Sequence, residues 1–113
     1  MKGNITVTEQ ALAAIIGLAA HEVPGVVGMS PVGIRDGIGR ILGRSEASQG
    51  VVVKADPASP GKYQADIYVV VAYGVKVPTV VESIAERAEW ASKNLAGVEL
   101  ARIYVHVAGV SRG

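Results

Sequence analysis

The run "KYQADIYVVVAYG", residues 62–74, constrains this chain more than any other stretch. Tyr63, Ala65, Ile67, Val69, Val71 and Tyr73 alternate onto one side, the period of two that marks a strand with a buried face. Such a strand needs a neighbour along its edge and a layer over its apolar side. The neighbour lies just upstream: "GVVVKAD" reads as a second strand, and "PASPG" between the two is a turn signal. The two strands therefore form a hairpin.

The covering layer comes from two helical patterns. Thr8 stands where an N-cap belongs, with Glu9 and Gln10 in the first turn of "EQALAAIIGLAAHE". Leu12, Ile15, Ile16, Ala19 and Val23 share one side of this helix. Ala13, Gly17 and His21 share another, which is built of small residues and so invites something to pack on it. Pro24 disfavours helix at Val23, and Gly25 allows a sharp change of direction. In "VPTVVESIAERAEWASKNLAG", Pro78 suits the first turn, Gly97 is a natural stop, and Val77, Val81, Ile84, Ala88, Ala91 and Leu95 make the apolar stripe. Glu82, Glu86, Glu89 and Lys93 lie opposite.

At the ends, "NITVT" alternates Ile5 and Val7 with polar neighbours and reads as a short strand. "VELARIYVHV" reads as a last strand that buries Ile103, Val105 and Val107 and turns Arg102, Tyr104 and His106 outward. The expected order is β-α-β-β-α-β. It describes an α+β two-layer sandwich with both helices on one face of a mostly antiparallel sheet, in a ferredoxin-like arrangement. The 113 residues form one domain, 1–113, in which residues 30–49 make a basic, glycine-rich, partly helical loop.

Composition narrows the function. Eleven Lys plus Arg against ten Asp plus Glu give a formal charge of +1, without a general pull toward nucleic acid. The absence of cysteine removes thiol chemistry, disulfides and cysteine-based zinc sites. The polar start "MKGNITVTEQ" is unlike a signal peptide, and the uncharged run Ala11–Ala20 is half the roughly 20 residues of a membrane span. A soluble, cytoplasmic protein is expected.

Four stretches tempt a chemical reading. "HEVPG" begins like a zinc-binding HExxH, but position 25 is Gly, so the second ligand one helical turn on is missing. His21 fits better as a side chain that interacts with the dipole and the free carbonyls of a helix end. "GIGRILGRS" departs from a phosphate-binding loop by carrying Ile38 and Arg44 where Gly and Lys are required. Arg35, Arg40 and Arg44 alternate there with Ile34, Ile38, Ile41 and Leu42, which makes a basic edge for a partner or a membrane surface. The expected strand order is also that of an RNA-recognition module, in which Tyr68, Arg102 and Tyr104 would lie on the open sheet face. Trp90 sits on the flank of the second helix, away from its stripe, where it would anchor an interface or lie over the surface.

Taken together, "GNITVTEQALAAIIGLAAHEVPGVVGM", "GRILGRSEASQGVVVK", "DIYVVVAYGVKVPTVVESIAERA" and "LAGVELARIYVHVAGV" resemble the alkaline shock protein 23 family of bacterial envelope stress proteins. The most specific marks are Ile5 and Val7, then Glu22-Val23-Pro24-Gly25-Val26, Tyr73-Gly74, and Gly97-Val98. The resemblance implies a non-enzymatic interaction or scaffold protein of envelope homeostasis and alkaline or general stress, without cofactor or metal. It also implies self-association and a membrane-anchored protein partner that would hold the chain near the membrane. "HEVPGV" is then a structural signature. The alternative function is single-stranded RNA binding on the open sheet face.

Overall fold

The computed structural model describes residues 6–31 and 41–112. Its elements run α1 (Glu9–His21), β1 (Val26–Met29), a 3-10 helix (Arg44–Gly50), β2 (Val51–Ala55), β3 (Tyr63–Ala72), α2 (Val77–Ala91), a π-helical turn (Ser92–Ala96) and β4 (Leu100–Ser111). The order is therefore α-β-β-β-α-β, not β-α-β-β-α-β. Thr6 to Thr8 form no strand, Ile5 lies outside the described residues, and the strand appears instead at "VVGM" after the first helix. A ferredoxin-like arrangement, which needs a strand before the first helix, is not among the described elements.

The hairpin forms as its alternation demands: β2 pairs antiparallel with β3 from Val51 opposite Ile67 to Ala55 opposite Tyr63. β1 occupies the other end of the same edge of β3, antiparallel, with Met29 opposite Val69. β4 runs parallel to β3 along its far edge. Parallel neighbours need a crossover, and α2 supplies it. Ala65, Ile67, Val69 and Val71 on β3 are fully buried against Leu12 and Ile16 of α1 and Val80, Ile84 and Ala88 of α2. Each large side chain buried there contributes roughly 1.5–3 kcal/mol.

Thr8 caps α1, its hydroxyl accepting the Ala11 N–H at 3.0 Å. The small-residue side of α1 is covered. Ala13 and Gly17 are buried, and a Cβ added at Gly17 would stand 2.5 Å from the Ala47 carbonyl oxygen of the 3-10 helix. At the other end Gly25 adopts φ 98° and the chain turns into β1. A Cβ there would lie 2.9 Å from Val80, so glycine leaves the room that Val80 fills.

That contact corrects the stripe expected on α2. The buried set is Val80, Ile84, Ala88 and Ala91, whereas Val77 is exposed and Val81 half-buried. Leu95 is 63% exposed because the widened π turn advances the chain by an extra residue and rotates it off the stripe. Ser92 locks this turn: its hydroxyl donates to the Val98 carbonyl at 2.7 Å. Gly97, at φ 69°, then stops the helix. On β4, Ile103 and Val105 are half-buried and Val107 is 37% exposed, because β4 has a strand on one side alone among the described residues.

Candidate interaction surfaces

The groove between α1 and α2 brings together residues that are far apart in sequence. It encloses about 230 Å3 and is lined by Ile15, Leu18, Glu22, Arg44, Arg87, Trp90 and Leu95, among others. Trp90 is 46% exposed, so with Leu95 two large apolar side chains meet solvent at one place. The rim is charged. Glu22 accepts from Arg44 at 3.2 Å through one carboxylate oxygen, and the other lies 3.8 Å from Arg87. The Arg87 guanidinium in turn sits 4.8 Å from the centre of the Trp90 ring, an attractive cation–π contact. An apolar floor with an aromatic anchor and a charged rim is the anatomy of a protein-binding surface.

Sequence reasoning placed Trp90 and Arg44 on separate surfaces and Glu22 in a family mark; the fold joins all three. Arg87 was missed, and Leu95 was assigned to the core. No local spacing could have joined Glu22 to Arg87, because only the packing of α1 on α2 does so. Arg35 and Arg40 lie outside the described residues. Pro24 and Gly25 form the turn that ends α1, and Val26 opens β1. Gly74 adopts φ 90° just after β3, while the exposed Tyr73 carries the Arg112 guanidinium 4.4 Å over its ring.

The second surface is the sheet face away from the helices. Tyr68, Arg102 and Tyr104 do lie on it together, Tyr104 opposite Asp66 and Arg102 opposite Gln64. Tyr68 is already stacked, however. Its ring lies 4.4 Å from that of His106 with 14° between the planes, and His106 Nε2 is 2.9 Å from Asp66 Oδ1. Arg102 is held above its ordinary pKa by a hydrogen bond with Tyr104, then by the nearby charge of Asp56. Asp56 is buried, and its Oδ2 makes no hydrogen bond, with Arg102 Nε 3.8 Å away. Asp56 beside Arg102 and Asp66 beside His106 put two carboxylates next to these residues, which opposes a phosphate backbone.

No group of three or more metal-ligating side chains occurs among the described residues. Nor is any helix among them long and apolar enough to cross a membrane.

The sequence matches the alkaline shock protein 23 family, described as having a cell envelope-related function, over residues 1–112. It is similar to Spy1614, an uncharacterized protein of Streptococcus pyogenes serotype M6, at 31% identity over 96% of this chain and 88% of the relative. YloU, an uncharacterized protein of Bacillus subtilis, is 28% identical over 96% of this chain and 88% of its own length. Spy1535, also uncharacterized and from the same streptococcus, is 32% identical over 96% of this chain and 79% of the relative. No solved structure gives a significant match. The chain belongs to the alkaline shock protein 23 family, whose function is related to the cell envelope.

Proposed function

We propose that this chain is a non-enzymatic interaction protein of the cell envelope. In this reading it works in envelope homeostasis and the alkaline or general stress response, in the cytoplasm beside the membrane. It binds a membrane-anchored protein partner and associates with further copies of itself. The observation that supports the reading best is the α1–α2 groove, where Trp90 and Leu95 are exposed beside Arg44, Arg87 and Glu22. An exposed tryptophan next to a second apolar side chain is costly to leave in water and is a common anchor of association.

The test is cross-linked affinity capture from the native cells, with wild-type protein and the Trp90→Ala variant side by side. The reading expects an envelope membrane protein with the wild type and its loss with Trp90→Ala. Recovery of RNA without an enriched protein would instead move the function to Tyr68, Arg102 and Tyr104. An unchanged protein partner with Trp90→Ala would remove the groove from the interaction.

A further inference from the structure

The outer edge of β4 around Val105 carries an inference about self-association. The Tyr63 N–H donates to the Glu99 carbonyl at 3.1 Å and the Tyr73 N–H to that of Ser111 at 2.8 Å, so the odd residues of β3 face β4. In a parallel ladder, such a residue bonds the two residues that flank its partner, and the partner itself faces away. Ala65, Ile67 and Val69 are in register with Ile103, Val105 and Val107. Those three residues of β4 therefore turn their N–H and C=O groups to the outer edge. Among the described residues, β4 pairs with β3 alone. Bulges near Ala101 and Ala108 bound this segment on either side.

Unpaired edges are usually blunted with proline, lysine or short length. β4 is 12 residues long, contains neither proline nor lysine, and carries Arg102 as its one residue of fixed charge. The apolar side chains of Ile103, Val105 and Val107 are also incompletely covered, although their partners Ala65, Ile67 and Val69 are 0% exposed.

We infer that β4 pairs antiparallel with β4 of a second copy, about a two-fold axis through Val105, to make one continuous sheet. The register follows from the chemistry. Centring on Val105 sets Ile103 opposite Val107 of the second copy and uses every outward group between the bulges, about six hydrogen bonds in all. It also places Tyr104 beside His106 of the second copy and leaves Arg102 opposite an alanine. A slip of two residues toward the N-terminus would lose some of those bonds and set Arg102 against His106. The pairing rests on the reading of this chain as an interaction protein, and names a second copy as one occupant.

Sedimentation of the purified chain over a range of concentrations should show a monomer–dimer equilibrium. Val105→Pro removes an outward N–H but no bond to β3, a placement an edge strand tolerates. It should weaken the dimer by at least about tenfold. Because the natural chain lacks cysteine, a second test is direct: under mild oxidant Val105→Cys should cross-link to a dimer. Ala101→Cys should not, since the two copies of residue 101 would be on the order of 25 Å apart. A wild-type protein that stays monomeric overturns the pairing, as does a Val105→Pro dimer of wild-type strength. Cross-linking by Ala101→Cys equal to that by Val105→Cys overturns the register. Trp90→Ala should leave the dimer intact, so loss of the membrane partner and loss of the dimer report on separate surfaces.

Discussion

Gly17→Ala is the substitution whose outcome the packing decides against the local rule. Within an α-helix, alanine is favoured over glycine by about 1 kcal/mol, so propensity alone says the variant is more stable. The structure says otherwise. The added Cβ would lie 2.5 Å from the Ala47 carbonyl oxygen and 2.8 Å from its carbon. Relief requires moving backbone by close to 1 Å, not rotating a side chain. Overpacking of this kind costs about 1–3 kcal/mol, and contact with backbone belongs at the upper end. Net destabilisation of about 1–2 kcal/mol is expected once the helix gain is subtracted. For a small domain this lowers the urea midpoint by about 0.5–1 M at unchanged slope. Gly43→Ala is the control, because nothing lies within 4 Å of its Cβ position. It should change stability by less than about 0.5 kcal/mol. A Gly17→Ala variant as stable as wild type would mean that the 3-10 helix does not sit on α1 in solution.

Three further outcomes follow from single contacts. Ser92→Ala removes the buried hydroxyl that donates to the Val98 carbonyl and should destabilise the fold by about 1–2 kcal/mol, read in the same urea titration. Arg87→Ala strips the guanidinium from the chain's one tryptophan and should raise acrylamide quenching of its fluorescence while the far-ultraviolet circular dichroism stays unchanged. The hydrogen bond from Lys62 at 2.8 Å, then the lysine's charge, hold the Glu99 carboxyl below its ordinary 4.5. A depressed carboxyl pKa stabilises the fold above the unfolded value, and that contribution fades as pH falls through the lower folded value. The stability gap between wild type and Glu99→Gln should therefore close below about pH 4.5, and a gap that widens on acidification would contradict the ion pair.

What could be read from the sequence was what periodicity and punctuation encode. The strand Tyr63–Ala72, its hairpin with Val51–Ala55, the Thr8 cap, the turn at Pro24-Gly25 and the stop at Gly97 are all local signals, and each lies where its chemistry places it. The covering of the small face of α1 was legible too, since alanine and glycine in place of charge mean close approach. Thr6 to Thr8 form no strand whereas "VVGM" does, because a four-residue strand is specified by its partner. Val26 and Met29 find the edge of β3 beside the hairpin, which no property of four residues announces. The α2 stripe drifted for a similar reason, as Val80 is drawn inward by the space at Gly25, an element away. Of the groove, the sequence offered Trp90 as a residue off its stripe and nothing of what surrounds it.

The groove itself exists because three departures from regular structure converge. Had α1 continued past His21, Glu22 would be a helical side chain; the stop at Pro24-Gly25 leaves it at the helix end, where both carboxylate oxygens reach guanidiniums. Had α2 kept its period, Leu95 would fall on the buried stripe; the π turn puts it in solvent beside Trp90. Had the chain before β2 been extended, Arg44 would not start the 3-10 helix that packs on the small face of α1. Regular elements hide their apolar residues efficiently, and each irregularity here carries one groove residue to where it can be met from outside. The Glu22-Val23-Pro24-Gly25 stretch that looks like part of a metal site is thus one end of a clamp. Its carboxylate joins the 3-10 helix to α2, and its glycine seats Val80 in the core beneath them.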